Sequence, residues 1–401
     1  MAEHGSGDGL RVLVHESMRA DLQRRVTRRQ ALMTGAGGAL ALYLAACGGS
    51  TSAGGGGGEQ AADQPAVAAD APVEAGPVLL ANWVDYSDPA NYKHFEREFG
   101  PRINVSSYGS NDELLAKLRA GGSEFDVVAP TGYAVKTMID QGLALKLNKA
   151  LIPNMKNIQP AFAKTEYDPG NNYSVPKDYG YTAFYWLDDK VPNPPTSIAE
   201  AFEFLKTPEA RDLRVNFLEG ATQVVALALK ALGHSLNSED EAELDEAKQL
   251  LLDVKPAVDT INSTFIDRAS AGQIDFGMGW NGDIRRAIVA LAERDRKMTF
   301  MIPTDSTEYW VDNWVIPSAA KNPVAAHKWI NLMLDPVAAG REMNYHQYPV
   351  PVQDITGVDP DLANDPIIAI DDAKVQEWES QLQTAKGQQL RDRVYTEFKA
   401  A

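Results

Sequence analysis

From Val78 onward the residue pattern switches repeatedly between the two-residue period of strands and the 3.6-residue period of helices, and few fold classes accept that rhythm. Val78-Leu79-Leu80-Ala81-Asn82-Trp83 predicts a strand, Tyr92 to Phe99 a helix, and Ile103-Asn104-Val105-Ser106 a second strand. Ser110 can cap a helix running to Ala120, with Leu114, Leu115 and Leu118 on one face, before the strand Phe125-Asp126-Val127-Val128. Short connections between unlike elements predict a mostly parallel sheet covered by helices. Tyr173 to Leu187 then reads as a strand, and the pattern restarts. Ser197 with Glu200, and Ser238 with Glu241, have capping-box spacing, and Leu244, Ala247 and Leu251 form an apolar stripe. Ile274 to Trp280 predicts a strand, Asn281-Gly282 its turn, and Ile284, Ile288 and Leu291 the inner face of a helix. Two α/β lobes are implied. With 401 residues, 44% of them hydrophobic, the chain has ample material for both.

Beyond the second set lies Glu308-Tyr309-Trp310-Val311-Asp312-Asn313-Trp314-Val315-Ile316-Pro317, followed by a helix from Pro323 to Leu334, so the chain crosses between lobes more than once. In an extended strand Trp310, Asp312, Trp314 and Ile316 share one side. A carboxylate between two indoles is costly to desolvate unless a cation meets it, and indole faces attract cations. The stretch reads as half of a cation cage. The plainer alternative is an edge strand with Asp312 in water and both tryptophans packed inward.

The formal net charge of -17 and the lack of a basic surface argue against nucleic-acid binding and suit a cationic ligand. Residues 1–46 read as an export signal: Arg28-Arg29 precedes an uncharged run, Ala31 to Ala46, too short to span a membrane comfortably. The arginine pair resembles the twin-arginine type, although Ala31 stands where that pattern usually has Phe. Leu44-Ala45-Ala46-Cys47 resembles a bacterial lipobox, which makes Cys47 the lipidated first residue of the mature chain, with Met1 or Met18 as the start. Residues 47–76, rich in Gly, Ala and Pro, predict a disordered tether.

Enzyme chemistry finds little support. The six histidines show no metal-ligand spacing, no Gly-x-Ser-x-Gly elbow occurs, and Gly277-Met278-Gly279 is too short for a dinucleotide fingerprint. Neither a cofactor nor a metal is expected. The remaining enzyme reading is a hydrolase using Asp85 and Asp312 as an acid/base pair.

Four motifs in order, Asn82-Trp83-Val84-Asp85-Tyr86, Asp126-Val127-Val128-Ala129-Pro130-Thr131-Gly132-Tyr133, Gly277-Met278-Gly279-Trp280-Asn281-Gly282 and Trp310-Val311-Asp312, resemble the spermidine/putrescine-binding proteins of bacterial ABC importers. The resemblance runs from about Val78 to the C-terminus. It implies an α/β, two-lobed periplasmic-binding-protein fold of type II-like topology, with a ligand cleft between lobes joined by crossing strands. It also implies a polyamine ligand, a permease partner in the cytoplasmic membrane, and a monomer at that membrane's outer face or in the periplasm. The lobes would comprise residues 77–183 and 311–356 on one side and 184–310 and 357–401 on the other. By resemblance Trp83, Asp85, Tyr86, Thr131 and Tyr133 line the first wall, Trp280 the second, and Trp310 and Asp312 the crossover, with Tyr348 a further aromatic. The sequence departs from the family where two acids usually stand ahead of and within a helix: here Gly220 and Gln223 occupy those places, beside Glu219. Glu379 stands where the family has an amide. Asp85 with Glu219 or Glu379 would then hold the ligand's ends; the nearest rival reading is another cationic amine, agmatine-like, in the same fold, and a more distant one is a sensor subunit that presents its bound ligand to a membrane receptor.

Overall fold

The computed structural model describes residues 67–121, 125–375, 377–382 and 384–401, so the predicted leader and Cys47 lie outside the described residues. The first elements fall where the period changes: β1 (Val78–Asn82), α1 (Pro89–Phe99), β2 (Ile103–Ser107), α2 (Asn111–Arg119), β3 (Val127–Val128) and α3 (Gly132–Asp140). Ser110 caps α2, accepting from the Glu113 amide at 3.2 Å. Leu114, Leu115 and Leu118 are buried against Tyr133 and Met138 of α3, each leucine contributing about 1.5–3 kcal/mol.

After a small hairpin, β4 (Lys164–Thr165) and β5 (Asp168–Pro169), comes the long strand β6 (Ser174–Leu187), buried at every position except half-buried Tyr179. The second set follows: α4 (Ile198–Leu205), β7 (Val215–Phe217), α5 (Ala221–Ala231), α6 (Glu241–Val254), β8 (Val258–Ile261), α7 (Ile266–Ser270), β9 (Phe276–Trp280), α8 (Asn281–Ala292) and β10 (Met298–Phe300). Ser197 caps α4 as its spacing predicts, but α6 starts from Asp240, whose carboxylate accepts from Ala242 and Glu243. Ser238 instead accepts from Asp240, so that capping box is displaced. Asn281-Gly282 is the first turn of α8 and not a separate turn. The chain ends with β11 (Glu308–Val315), α9 (Pro323–Met333), α10 (Pro336–His346), the single turns α11 (Pro360–Ala363) and α12 (Asp372–Val375), β12 (Glu379–Ser380) and α13 (Ala385–Ala400).

One sheet runs in the order β2-β1-β3-β11-β6-β9-β7-β8, with β10 on β6 and β12 on β11. Its flanks are parallel, as helix crossovers require, but its centre is antiparallel: β11 against β3 and β6, and β6 against β9. The expected mostly parallel sheet therefore holds only at the two edges, because β6 and β11 are long central strands that cross from one set to the other.

Residues 67–76, assigned from composition to the tether, are packed on this body. Val67 is buried with Leu151 and Val324, and the Glu74 carboxylate accepts from the amides of Val324 and Ala325 at 3.0 and 2.9 Å. A carboxylate at those free amides satisfies donors that Pro323 leaves exposed at the start of α9.

Candidate functional site

One face of the two central strands carries the chemistry. Residues directly opposite in an antiparallel pair share a face, and every second residue along each strand returns to it. Asp312 lies opposite Asp178, Trp310 opposite Gly180, and Glu308 opposite Thr182. Thr131 bridges to Asp312 on one flank, and Trp280 lies opposite Thr182 on the other. The face thus holds an acid row, an indole row and a second acid row.

Gly180 makes the middle row possible. A Cβ there would stand 2.5 Å from Trp310 Cζ2, so the indole lies over bare backbone. Gly282 serves Tyr348 in the same way: its added Cβ would be 2.6 Å from the tyrosine ring. Tyr348 then meets Trp310 edge-on, with centroids 5.2 Å apart.

In the first acid row Asp312 is only 4% exposed. Thr131 Oγ1 donates to it at 2.7 Å, and Asn111 holds both neighbours, its Nδ2 donating to Thr131 Oγ1 at 3.0 Å and to the Tyr133 hydroxyl at 2.9 Å. Burial, with Asp178 opposite, pushes the Asp312 carboxyl up to about 7. Burial also raises Asp178, but there Lys177 pulls the other way.

Lys177 and Asp178 are sequence neighbours that should point to opposite faces. Asn313 pairs with Pro176, though, so the register shifts and Lys177 has no partner in the ladder. Proline has no N–H for the ladder, and a bulge re-aims the side chain it releases. The Lys177 ammonium contacts Asp178 Oδ2 and lies 3.7 Å from the Tyr86 ring centroid and 5.3 Å from that of Trp314. Tyr86 donates its hydroxyl to Asp178 Oδ1 at 2.8 Å. His346 accepts the Tyr348 amide on Nδ1 at 3.0 Å, so its hydrogen is on Nε2, 3.4 Å from Asp178 Oδ2. Burial and the nearby Lys177 hold His346 well below its ordinary range, and the ring is neutral. A cation does sit among these rings, and it is the protein's own.

The second acid row differs. Glu308 is 1% exposed, accepting from Thr182 Oγ1 and Gln381 Nε2, each at 2.6 Å. Burial pushes its carboxyl up to about 7, against the pull of hydrogen bonds from Thr182 and Gln223. Among the described residues no cation pairs with it. Half-buried Trp280, 5.9 Å from Phe265 between centroids, closes this end.

Of the twelve residues expected at the site, Tyr86, Thr131, Tyr133, Gln223, Trp280, Trp310, Asp312 and Tyr348 gather on or beside this face. Half-buried Trp83 packs its ring 4.6 Å from Tyr108, its Nε1 donating to the Ala129 carbonyl at 2.9 Å. The three proposed end-holders do not join. Asp85 is exposed on a left-handed residue, Glu219 lies 3.6 Å from Lys399 at the surface, and Glu379 accepts from Lys230 at 3.1 Å and from the Leu236 amide at 3.1 Å. Glu219 and Glu379 are each taken up by a lysine from a helix distant in sequence. Trp314 is almost wholly buried, edge-on to Trp329 at 5.9 Å, and forms the floor under Lys177. Sequence reading missed Lys177, Asp178, Asn111, His346, Glu308 and Gln381; its one available signal was Pro176 inside a strand, next to a charged pair. Among the described residues no cluster could hold a metal ion, and no helix is long and apolar enough to cross a membrane.

An α/β body whose crossing strands display buried acids among rings is the architecture of a solute-binding protein, and residues 90–370 match the bacterial extracellular solute-binding protein family. The chain belongs to that family. It is 30% identical over 323 residues to the spermidine/putrescine-binding periplasmic protein of Salmonella typhimurium, spanning 80% of this chain and 90% of that one. It is 32% identical over 264 residues to the putrescine/cadaverine-binding protein of Pseudomonas aeruginosa, spanning 64% and 74%. The solved structure of a putative spermidine/putrescine ABC transporter from Listeria monocytogenes superposes with a TM-score of 0.75 at 28% identity, spanning 81% of this chain and 99% of that one.

Proposed function

We propose that this protein captures a linear polyamine of the spermidine/putrescine class and passes it, unaltered, to an ABC permease. The observation that carries the reading is Asp312: a buried carboxylate, outside any ion pair among the described residues, with Tyr86, Thr131 and Trp310 around it. An ammonium would restore the charge balance that burial removed, and the rings would take the methylenes and the cation's face. The names of the relatives support the same ligand class.

In this reading residues 77–183 and 311–356 form one lobe and 184–310 with 357–401 the other, and β6 and β11 are the crossing strands about which they close. Closure gains only what the ligand contributes to both walls. Export by residues 1–46, a lipid anchor on Cys47, action as a monomer at the outer face of the cytoplasmic membrane or in the periplasm, and the lack of any reaction complete the proposal. One observation favours a second ligand: Lys177 already supplies a cation to the first acid row, which suits an amine of lower charge than spermidine, agmatine-like or amino-acid-derived.

Thermal unfolding of the chain from residue 48 onward, against a panel of amines, amino acids and sugars, tests both. Ligand at a hundredfold over its Kd should add about 2.7 kcal/mol. Stabilisation by sugars or amino acids alone would remove the polyamine reading, and turnover of an amine would revive an enzyme.

A further inference from the structure

Besides Asp312, four buried or half-buried acids are relevant, Asp178, Glu342, Asp283 and Glu308, and they differ in what already answers them. Asp178 has Lys177. Glu342 accepts from Asn91 Nδ2 at 2.7 Å and from the Asp88 amide at 2.9 Å, in the seam between α1 and α10. Asp283, at the start of α8, is raised to about 6 by burial and faces Arg286 of its own helix. Glu308 alone is held only by neutral donors on the strand face that also bears Asp312.

We propose that Glu308 is the second ammonium acceptor of this site, replacing the acids that Gly220 and Gln223 do not supply, and that the ligand is therefore a linear amine with cations at both ends. This rests on the polyamine reading above. Four residue steps along the strand lead from Glu308 to Asp312, a span of about 13 Å, and Trp310 lies between them on the same face. With one ammonium–carboxylate contact of about 2.8 Å at each end, the two nitrogens stand about 7 to 13 Å apart. A four- or five-carbon diamine lies near the short limit and a triamine near the long one.

A second observation points to a donor-rich guest at the same spot. Gln381 is buried, its Nε2 is spent on Glu308, and its Oε1 has no hydrogen-bond partner among the described residues; Trp310 Nε1 has none either. An ammonium has three hydrogens to give and would find both the Glu308 carboxylate and the idle Gln381 oxygen. Thr182 and Gln223 would keep the carboxylate in place.

The test is calorimetric titration of the native protein, Glu308→Gln and Glu308→Asp with putrescine, cadaverine and n-pentylamine, after thermal unfolding shows that each variant is folded. The native protein should bind cadaverine at least thirtyfold more tightly than pentylamine. Glu308→Gln should lose that preference, weakening cadaverine at least thirtyfold while changing pentylamine less than threefold, and Glu308→Asp should restore part of it. Cadaverine binding within threefold of native in Glu308→Gln overturns the assignment of Glu308 alone. A native protein that binds none of these amines overturns the polyamine reading and this inference together.

Discussion

The two ends of one strand face solve the same electrostatic problem differently. At the Asp178–Asp312 end two carboxylates lie directly opposite each other, and the protein inserts its own lysine between one of them and a tyrosine ring. At the Glu308 end a single carboxylate is wrapped in amide and hydroxyl donors. Neutral donors can hold a buried acid without cancelling its charge, whereas a lysine cancels it outright. The contrast separates Asp178, answered by Lys177 in the empty protein, from Asp312 and Glu308, which have only neutral donors until a guest arrives.

Four experiments break or sharpen that contrast. The largest effect belongs to Lys177→Met, which strands Asp178 in a fully buried setting and should cost about 3–5 kcal/mol of stability, read as a lowered urea midpoint. Adding Asp178→Asn to it should recover most of the loss; an unchanged midpoint in Lys177→Met alone would mean the pair carries no weight.

Next is Asp312→Asn, which should weaken amine binding by at least thirtyfold, consistent with removing one partner of a buried charged contact. The same change should raise the midpoint of the empty protein at pH 8. The sign follows from linkage: Asp312 and Glu308 titrate near 7 when folded and near 4 when unfolded, so between those values the folded state holds more protons. Their contribution to stability is full below about pH 4 and is lost as pH rises through about 7. If binding survives in Asp312→Asn, Asp312 is not an ammonium acceptor and the polyamine reading loses the observation that carries it.

Ligand binding should run against that trend. An ammonium favours the ionised acids, so affinity should fall about tenfold or more from pH 8 to pH 6, with protons released on binding near pH 7. Calorimetry in buffers of different ionisation enthalpy reads the proton count, and a count of zero would remove both acids from the contact set. Smallest is the effect of Glu219→Gln and Glu379→Gln, which should change amine affinity less than twofold, because each acid already has a lysine partner, Lys399 at the surface and half-buried Lys230 respectively. A tenfold loss in either would return the ligand's end to those positions.

Much of this was legible beforehand, and the boundary of what was not has physical causes. Hydrophobic period located β1, β2, α2 and the long strands within a residue or two, and α1 within three, since one apolar face against one core fixes both the period and the phase. The grouping of Trp310, Asp312, Thr131 and Tyr348 followed from strand alternation and from family resemblance together. Direction of pairing did not: apolar runs read the same for parallel and antiparallel neighbours when both faces are covered, and the centre of the sheet is antiparallel. Nor did the fate of the acids Glu219 and Glu379, which was decided by Lys399 and Lys230 from helices distant in sequence. Composition misjudged residues 67–76 because a few contacts, Val67 in an apolar niche and Glu74 on bare amides, suffice to order a polar segment.

Pro176 has a reach beyond its own ring. It has no N–H to give the ladder, the pairing slips by one residue beside it, and Lys177, left without a ladder partner there, has its ammonium on Asp178. The charge that this strand face offers a solute is thus set by backbone geometry as well as by side-chain identity.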